Sequence, residues 1–153
     1  MGKDPAFMFY PKDWITGTAD LMPDEKGVYI DLLAHQHQRT TLPNDTIRLA
    51  RMIGIPHDDF MRIWNTIKIH FDQMGDQLVN RKLEALMLER SLRARKNRIS
   101  GTFASVLREF KKKLEPKVVS QLRYRFKAEE FLDIPDEYLE HEITDWCTKW
   151  STN

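Results

Sequence analysis

The sequence predicts a mainly α protein with a small β-hairpin: a winged-helix domain followed by a long helix and a C-terminal helical segment. Residues 1–80 show the order helix, short helix, helix, hairpin, which is a helix-turn-helix arrangement with a β wing. From Arg81 to about Leu114 the chain has no proline and is rich in helix-forming residues, until Pro116 breaks the pattern. We therefore divide the chain into segments 1–84, 85–115 and 116–153.

The N-terminal residues predict an aromatic-anchored arm and then an amphipathic helix. Phe7, Phe9 and Trp14 are typical anchors of a strand or an extended arm. Pro23 suits the first position of the helix that follows. The buried face of this helix should comprise Tyr29, Leu32, Leu33 and Gln36. Gly27 costs about 1 kcal/mol relative to alanine within a helix, so we expect it at a close packing contact.

Two shorter helices and a hairpin are predicted next. Asn44 or Asp45 can cap the first helix, and Gly54 can end it. The second helix carries apolar residues at i, i+3, i+4, i+7 and i+11, which predicts a buried stripe. This stripe comprises Phe60, Ile63, Trp64, Ile67 and Phe71. Gly75 can take the left-handed conformation in the turn of the hairpin.

The long helix has two nearly opposite apolar stripes and therefore needs two partners. One stripe comprises Leu83, Leu86 and Met87, and we expect it to face the winged-helix body. The other is spaced like a heptad seam and comprises Leu88, Leu92, Ile99, Phe103, Val106 and Phe110. Its partner is either the C-terminal segment or another subunit.

The C-terminal segment predicts two further helices. The stretch after Pro116 favours a helix, although residues 122–128 also alternate like a strand. After Pro135, an acidic amphipathic helix presents an apolar face. This face comprises Leu139, Ile143, Trp146 and Trp150. It could pack on the second stripe of the long helix.

The net charge of +1 conceals three blocks of different sign. Residues 1–80 carry −3, residues 81–127 carry +11 and residues 128–153 carry −7. A basic block is the usual footprint of a polyanionic partner, but a solvated helix surface or neutralisation by the acidic tail would also explain it. The stretch 90–98 has five cations around almost the whole helix and no acid. We expect it to project from the winged-helix body as a basic connector.

The residues that could carry catalysis or bind a metal do not form a recognisable site. His35 and His37 point about 200° apart on a helix, and Cys147, the single cysteine, has no partner at ligand spacing. Adjacent acids at helix N-termini are explained by the helix dipole. Phosphate-binding and nucleophile motifs are absent. The sequence therefore predicts no enzyme, metal or cofactor, and the absence of a signal peptide or an 18-residue apolar run predicts a cytoplasmic protein.

Three groups of residues in the first 84 positions together resemble the sequence pattern of a known family. They are Trp14 with Leu21-x3-Glu25-x-Gly27-x-Tyr29-x2-Leu32-Leu33, then Leu42-Pro43-x-Asp45-x3-Leu49-Ala50-x3-Gly54, then Asn80-Arg81-x-Leu83-Glu84. This pattern resembles the YdaU-like family, a domain of unknown function found in prophages. That family is similar to the winged-helix N-terminal part of phage replication initiators. The resemblance implies a role in replication initiation, or in its regulation, for a phage or mobile element.

The expected function is non-enzymatic DNA binding. In a winged helix the third helix usually enters the major groove, and the wing contacts the DNA backbone or the minor groove. The predicted DNA-binding residues are Arg62, Asn65 and Lys68 on that helix, Arg81 and Lys82 near the wing, and Arg90, Arg93, Arg95, Lys96 and Arg98 on the long helix. Most of these should contact phosphates, which strengthens binding without specifying sequence.

Two alternatives remain open. Asp58 and Asp59 at the start of the third helix would repel phosphates, which favours a protein-interaction module instead. In that case the seam from Leu88 to Phe110 would build a homodimer or dock a partner such as a replication protein. In the second alternative, the acidic tail covers the basic helix and blocks DNA until it is displaced.

Overall fold

The structure, a computed structural model, describes Ala6 and residues 8–152, which form two compact units. The first unit ends at Glu89 and the second begins at Arg90. The helices are α1 (Pro11–Gly17), α2 (Pro23–Arg39), α3 (Thr46–Ile53), α4 (His57–Ile67), α5 (Arg81–Phe110), α6 (Pro116–Arg125) and α7 (Asp136–Ser151). The strands are β1 (Leu42–Pro43), β2 (Asp72–Met74) and β3 (Gln77–Val79), and short 3-10 turns lie at 68–70 and 128–131. The predicted segment 85–115 thus contributes residues to both units.

The first unit has the winged-helix order: α2, β1, α3, α4, β2, β3. The sheet is antiparallel with strand order β1-β3-β2, and Leu78 on β3 pairs with Leu42 on one side and Gln73 on the other. Gly75, with φ +64°, forms the turn of the predicted hairpin. Strand β1, which adds to the predicted hairpin of β2 and β3, was not predicted, because two residues are too few to show an alternating pattern.

Local capping signals set the ends of α2 and α3 as predicted. Pro23 occupies the start of α2, and the carboxylate of Glu25 accepts a hydrogen bond from the Met22 backbone N–H at 2.8 Å. Asp45 caps α3 by accepting hydrogen bonds from two backbone N–H groups, at 3.0 and 3.1 Å. Gly54 ends α3 with φ +81°, the left-handed conformation that glycine adopts without a steric cost.

The core of the first unit is built from the predicted faces of α2 and α4. The predicted face of α2 is buried, and Gln36 is fully enclosed. The predicted α4 stripe, Phe60, Ile63, Trp64, Ile67 and Phe71, is buried throughout. Its aromatic rings contact one another, with centroids 5.6–5.8 Å apart. Both predictions of buried faces are therefore confirmed.

Two expectations for the N-terminal half were wrong. Trp14 lies in the short helix α1 instead of a strand or an extended arm, because Pro11 starts a helical turn there. Phe9 does contact Trp14, with ring centroids 5.8 Å apart, whereas Phe7 lies outside the described residues. Gly27 is exposed, and a Cβ atom added to it would meet nothing within 4 Å.

The second unit encloses its own core between the later part of α5, α6 and α7. Phe103 and Phe126 stack with centroids 3.8 Å apart, and the ring of Trp146 meets both edge-on. The fully or largely buried residues are Ile99, Phe103, Val106, Leu107, Val119, Leu122, Phe131, Leu139, Ile143 and Cys147. Because residues 116–125 are helical, the strand interpretation of residues 122–128 was wrong.

The heptad-like seam is divided between core and surface. Ile99, Phe103 and Val106 are buried in the second unit and Phe110 is half-buried, but Leu88 and Leu92 are 60% and 44% exposed. Over its buried part, the partner of this stripe is the C-terminal segment. On α7, Cys147 takes the buried position one turn after Ile143, and Trp150 is left 38% exposed.

Candidate nucleic-acid interface

The predicted reading residues of α4 lie on the outer face of the first unit. Arg62, Asn65 and Lys68 are all exposed. Arg62 Nη2 donates to Asp24 Oδ2 at 2.7 Å, and this hydrogen bond lowers the pKa of the Asp24 carboxyl. Lys68 Nζ donates to Asn65 Oδ1 at 3.3 Å. The structure thus brings the three residues to one surface, where a carboxylate already neutralises the guanidinium of Arg62.

Arg81 and Lys82 lie close to the wing, as expected, and both are paired with acids. Arg81 donates to Asp72 on β2 at 3.1 Å and to Glu84 at 2.8 Å. Lys82 Nζ lies 2.8 Å from an Asp13 carboxylate oxygen. Residues 1–89 carry 10 Lys and Arg against 13 Asp and Glu, a net charge of −3. The winged-helix unit therefore has no excess of positive charge that would attract a polyanion.

Arg95 holds the start of α7 in place. Its guanidinium donates hydrogen bonds to the backbone carbonyls of Leu132 and Ile134 and to the carboxylate of Asp136. The side chain is only 16% exposed. Arg95 was expected on a projecting connector, and that expectation was wrong, because residues some 40 positions later fold onto its guanidinium.

The neighbouring cations are also engaged by the acidic tail. Lys96 Nζ donates to Glu129 at 2.7 Å, which lowers the pKa of that carboxyl, and Arg98 pairs with Asp136. Arg90 is half-buried and Arg93 is exposed. The densest run of positive charge in the sequence is therefore partly neutralised inside the second unit. This is the pairing that the alternative of a covering acidic tail describes.

A second group of cations, which is not among the DNA-binding residues predicted from the sequence, remains open to solvent. We name it the 108–127 basic surface, and it comprises Arg108, Lys111, Lys112, Lys113, Lys117, Arg123, Arg125 and Lys127. All eight residues are exposed, and the same stretch contains only two acids, Glu109 and Glu115. Lys112 lies 2.8 Å from Glu109 and lowers the pKa of that carboxyl. Among the described residues, the other seven have no carboxylate oxygen within 4.0 Å.

Helix dipoles account for only part of this charge. Lys111, Lys112 and Lys113 follow the end of α5, and cations at a helix C-terminus gain about 0.3–1 kcal/mol each. Lys117, however, lies in the first turn of α6, where the dipole disfavours a cation. The triplet at 111–113 was the signal in the sequence that could have led to this surface.

Tyr124 lies in the same stretch of the chain and is 91% exposed, the largest exposed fraction among the large apolar and aromatic side chains of the described residues. It lies on α6 opposite the two residues that anchor the helix, Val119 and Leu122. A shallow depression beside the ring is lined by Lys117, Ser120, Gln121, Tyr124 and Arg125. The Arg125 guanidinium carbon lies 4.5 Å from the centroid of the Trp150 ring, which positions this cation through a cation–π contact.

The winged-helix unit contains an aromatic cleft of about 440 Å³. Phe9, Tyr10, Trp14, Tyr29 and His70 contribute rings to its wall. Tyr29 stacks on Trp14 at 5.4 Å and on His70 at 4.8 Å, and burial lowers the pKa of His70. The cations and acids at this cleft are paired with one another, so its charge is balanced.

In the part of the chain formed by Ala6 and residues 8–152, no group of three His, Cys, Asp or Glu side chains could hold a metal ion. None of the helices in this part of the chain combines the length and the apolar character needed to cross a membrane.

The fold defines a winged-helix unit joined in sequence to a helical unit with a basic, aromatic-bearing surface. The chain belongs to the family described as "Protein of unknown function (DUF1376)", whose model matches residues 6–88. That match spans nearly all of the first unit. No curated protein and no solved structure shows a significant match.

Proposed function

We propose that this protein binds DNA, with the phosphate backbone held by the 108–127 basic surface. One observation carries the proposal: seven of its eight exposed cations have no carboxylate within ion-pair distance in the described part of the chain. A cation without a local partner gives up no ion pair when it contacts a phosphate. The gain in affinity comes from counterions that the phosphates release.

The charge of the two units supports this location. The stretch 108–127 carries eight cations and two acids, a net of +6, whereas residues 1–89 carry −3. In the winged-helix unit, Arg62, Arg81 and Lys82 would first have to exchange an acidic partner for a phosphate. Exposed pairs of this kind contribute about 0–1 kcal/mol, so they weaken DNA contact there without preventing it. We expect Arg62, Asn65 and Lys68 to add weaker contacts.

The biological setting of the proposal rests on the resemblance to phage replication initiators. We propose a non-enzymatic, cytoplasmic role in replication initiation, or in its regulation, for a phage or mobile element. Contacts to phosphates would provide affinity without base specificity, which suits a protein that must load onto DNA before other factors act.

A protein-interaction module is the competing proposal. An acidic protein could bind the same cations, and Leu88 and Leu92 remain exposed for other contacts. The observation that favours DNA is the combination of cations with a ring exposed as fully as that of Tyr124, since nucleic-acid surfaces combine these two elements.

The test is fluorescence anisotropy with labelled DNA of unrelated sequence at several salt concentrations. We expect affinity to fall by about 10³–10⁵ between roughly 50 and 200 mM salt if 6–10 phosphates are neutralised. A first variant removes four charges from the basic surface: Lys111→Gln, Lys113→Gln, Lys117→Gln, Arg123→Gln. In this variant the negative slope of log affinity against log salt should become shallower by about 3–4.

The matched control is Arg62→Gln, Lys68→Gln, Arg81→Gln, Lys82→Gln. It removes an equal number of positive charges, four, from the winged-helix unit and should retain most of the affinity for DNA. If the control loses binding and the first variant does not, DNA is held by the winged helix instead. If the wild-type protein does not bind at low salt, DNA binding is excluded and an acidic protein partner becomes the better explanation.

A further inference from the structure

The exposed face of α6 presents an aromatic ring between cations. At 100° per residue, Tyr124 points about 170° away from the midpoint of Val119 and Leu122, the buried side of the helix. Arg123 and Arg125 then lie about 100° to either side of it. The ring therefore points straight into solvent and has a positive charge on both flanks.

The surroundings of Tyr124 suit a nucleotide. Lys117 lies two helical turns before Tyr124 and lines the same depression, as do the polar side chains of Ser120 and Gln121. The helix 116–125 contains no Asp or Glu. A flat ring with cations around it and no acid on the same helix can stack a base while lysine and arginine contact the flanking phosphates.

Arg125 adds a second planar group to this face. Its guanidinium is held 4.5 Å from the centroid of the Trp150 ring, so its position is restricted before any ligand arrives. A guanidinium that stacks on a ring by its face keeps the N–H donors at its edge, and these can contact a phosphate. A group that is already positioned loses less conformational entropy on binding.

Stacking on Tyr124 requires an unpaired base. In a duplex the base faces are covered by their neighbours, and extruding one base costs a few kcal/mol. A single strand offers its base faces directly, and each base stacked on an aromatic side chain contributes about 1–3 kcal/mol. A fully exposed tyrosine among cations is therefore more useful for single-stranded than for double-stranded DNA.

We propose that the α6 face of the second unit binds single-stranded DNA by stacking one base on Tyr124 between the phosphate contacts of Lys117 and Arg125. This inference rests on the proposed function and specifies its substrate. It concerns a unit that lies beyond the residues matched by the family model.

The experiment compares a labelled 20-nucleotide thymine strand, an abasic strand of equal length and a 20-base-pair duplex by anisotropy at about 150 mM salt. The abasic strand carries the same phosphates without bases. The wild-type protein should prefer the thymine strand. Tyr124→Ala should weaken that binding by about five- to a hundredfold, and should leave the duplex and abasic affinities within about twofold.

Two further variants separate stacking from other roles of the tyrosine. Tyr124→Phe keeps the ring and should retain the affinity for the thymine strand. A loss as large as that of Tyr124→Ala would mean that the hydroxyl contacts a phosphate. Tyr138→Ala removes another exposed tyrosine, on the acidic helix α7, and should change nothing.

The outcomes distinguish this inference from the proposed function. If Tyr124→Ala binds the thymine strand as well as the wild-type protein does, base stacking is excluded while DNA binding stands. The same holds if the wild-type protein binds only the duplex. If no DNA binds at any salt concentration, both proposals fail together. Circular dichroism of each variant confirms that it is folded.

Discussion

The side-chain amide of Gln36 forms two hydrogen bonds with the backbone of Asn80, which lies 44 residues later. Gln36 Oε1 accepts from the Asn80 N–H at 2.7 Å, and Gln36 Nε2 donates to the Asn80 carbonyl at 3.2 Å. Asn80 in turn caps α5 by accepting from the Leu83 N–H at 3.0 Å, and it donates to Tyr29 and His70. This buried network joins α2 to the start of α5.

Gln36→Ala should lower the free energy of unfolding by about 1–3 kcal/mol. The substitution leaves the buried N–H of Asn80 without a partner, at about 1–3 kcal/mol, whereas the Asn80 carbonyl keeps its hydrogen bond from the Glu84 N–H at 3.0 Å. Urea denaturation followed by circular dichroism measures this change. Gln38→Ala, on the exposed side of the same helix, is the control and should cost less than about 0.5 kcal/mol. Equal effects of the two substitutions would contradict the network.

Arg95→Met should destabilise the second unit without weakening DNA binding. The variant keeps the apolar stem but leaves the Ile134 carbonyl without its donor and removes one of the two arginine partners of Asp136, which costs about 1–3 kcal/mol. Arg98→Met also loses contact with Asp136, but its side chain is 53% exposed, so its effect should stay below about 1 kcal/mol. A large loss of DNA affinity in a folded Arg95→Met protein would mean that Arg95 contacts DNA, as the sequence predicted.

Ile99→Ala should unfold the second unit more easily, because Ile99 is fully buried in its core. Removing this much of a core side chain costs about 2–5 kcal/mol. Leu92→Ala removes a comparable side chain that is 44% exposed and should have a much smaller effect on urea denaturation. Sedimentation velocity on both variants checks whether the seam also associates chains. A dimer lost in Ile99→Ala with unchanged stability would place Ile99 at an interface between chains.

The stability of the winged-helix unit should fall as the pH drops below about 6.5. Burial lowers the pKa of His70 in the folded state, so the unfolded chain binds the proton more readily. The stabilising contribution is therefore complete above the ordinary pKa and is lost as the pH falls through the lowered one. His70→Phe keeps a ring against Tyr29, so it should show a smaller loss between pH 7.5 and 5.5 in urea denaturation. An unchanged pH dependence would assign the effect to other groups.

Cys147 should react with a thiol reagent such as dithionitrobenzoate only when the second unit opens. The side chain is fully buried, and burial raises the pKa of its thiol to about 11, so little thiolate is present at neutral pH. Labelling should be slow in the wild-type protein and faster in Ile99→Ala. Rapid labelling of both proteins would show that the C-terminal helix does not hold Cys147 in a stable core.

The winged-helix elements could be predicted from the sequence because their signals are local. Pro23, Asp45, Gly54 and Gly75 act within a few residues of their own positions. The α4 stripe follows from a period of 3.6 residues. Strand β1 could not be predicted in this way, because its two residues are defined by pairing with β3 some 35 positions later.

The candidate site could not be predicted from the sequence in the same way, because charge alone does not show which cations are neutralised. The run at 90–98 has the denser positive charge, yet Arg95 and Lys96 are bound by groups 33 to 41 residues away. No periodicity in the sequence reports such a contact. The cations of the stretch 108–127 are less dense in the sequence and are interspersed with Glu109 and Glu115, but they remain open to solvent.

The sequence by itself determined the helices after α1, the caps of α2 and α3 and most buried faces, since these depend on neighbours within one or two turns. It also determined that positive charge is concentrated between residues 81 and 127. Only the tertiary structure decided which of those cations stay free. An ion pair needs two groups within about 4 Å, and for residues so far apart in the chain only the folded backbone sets that distance.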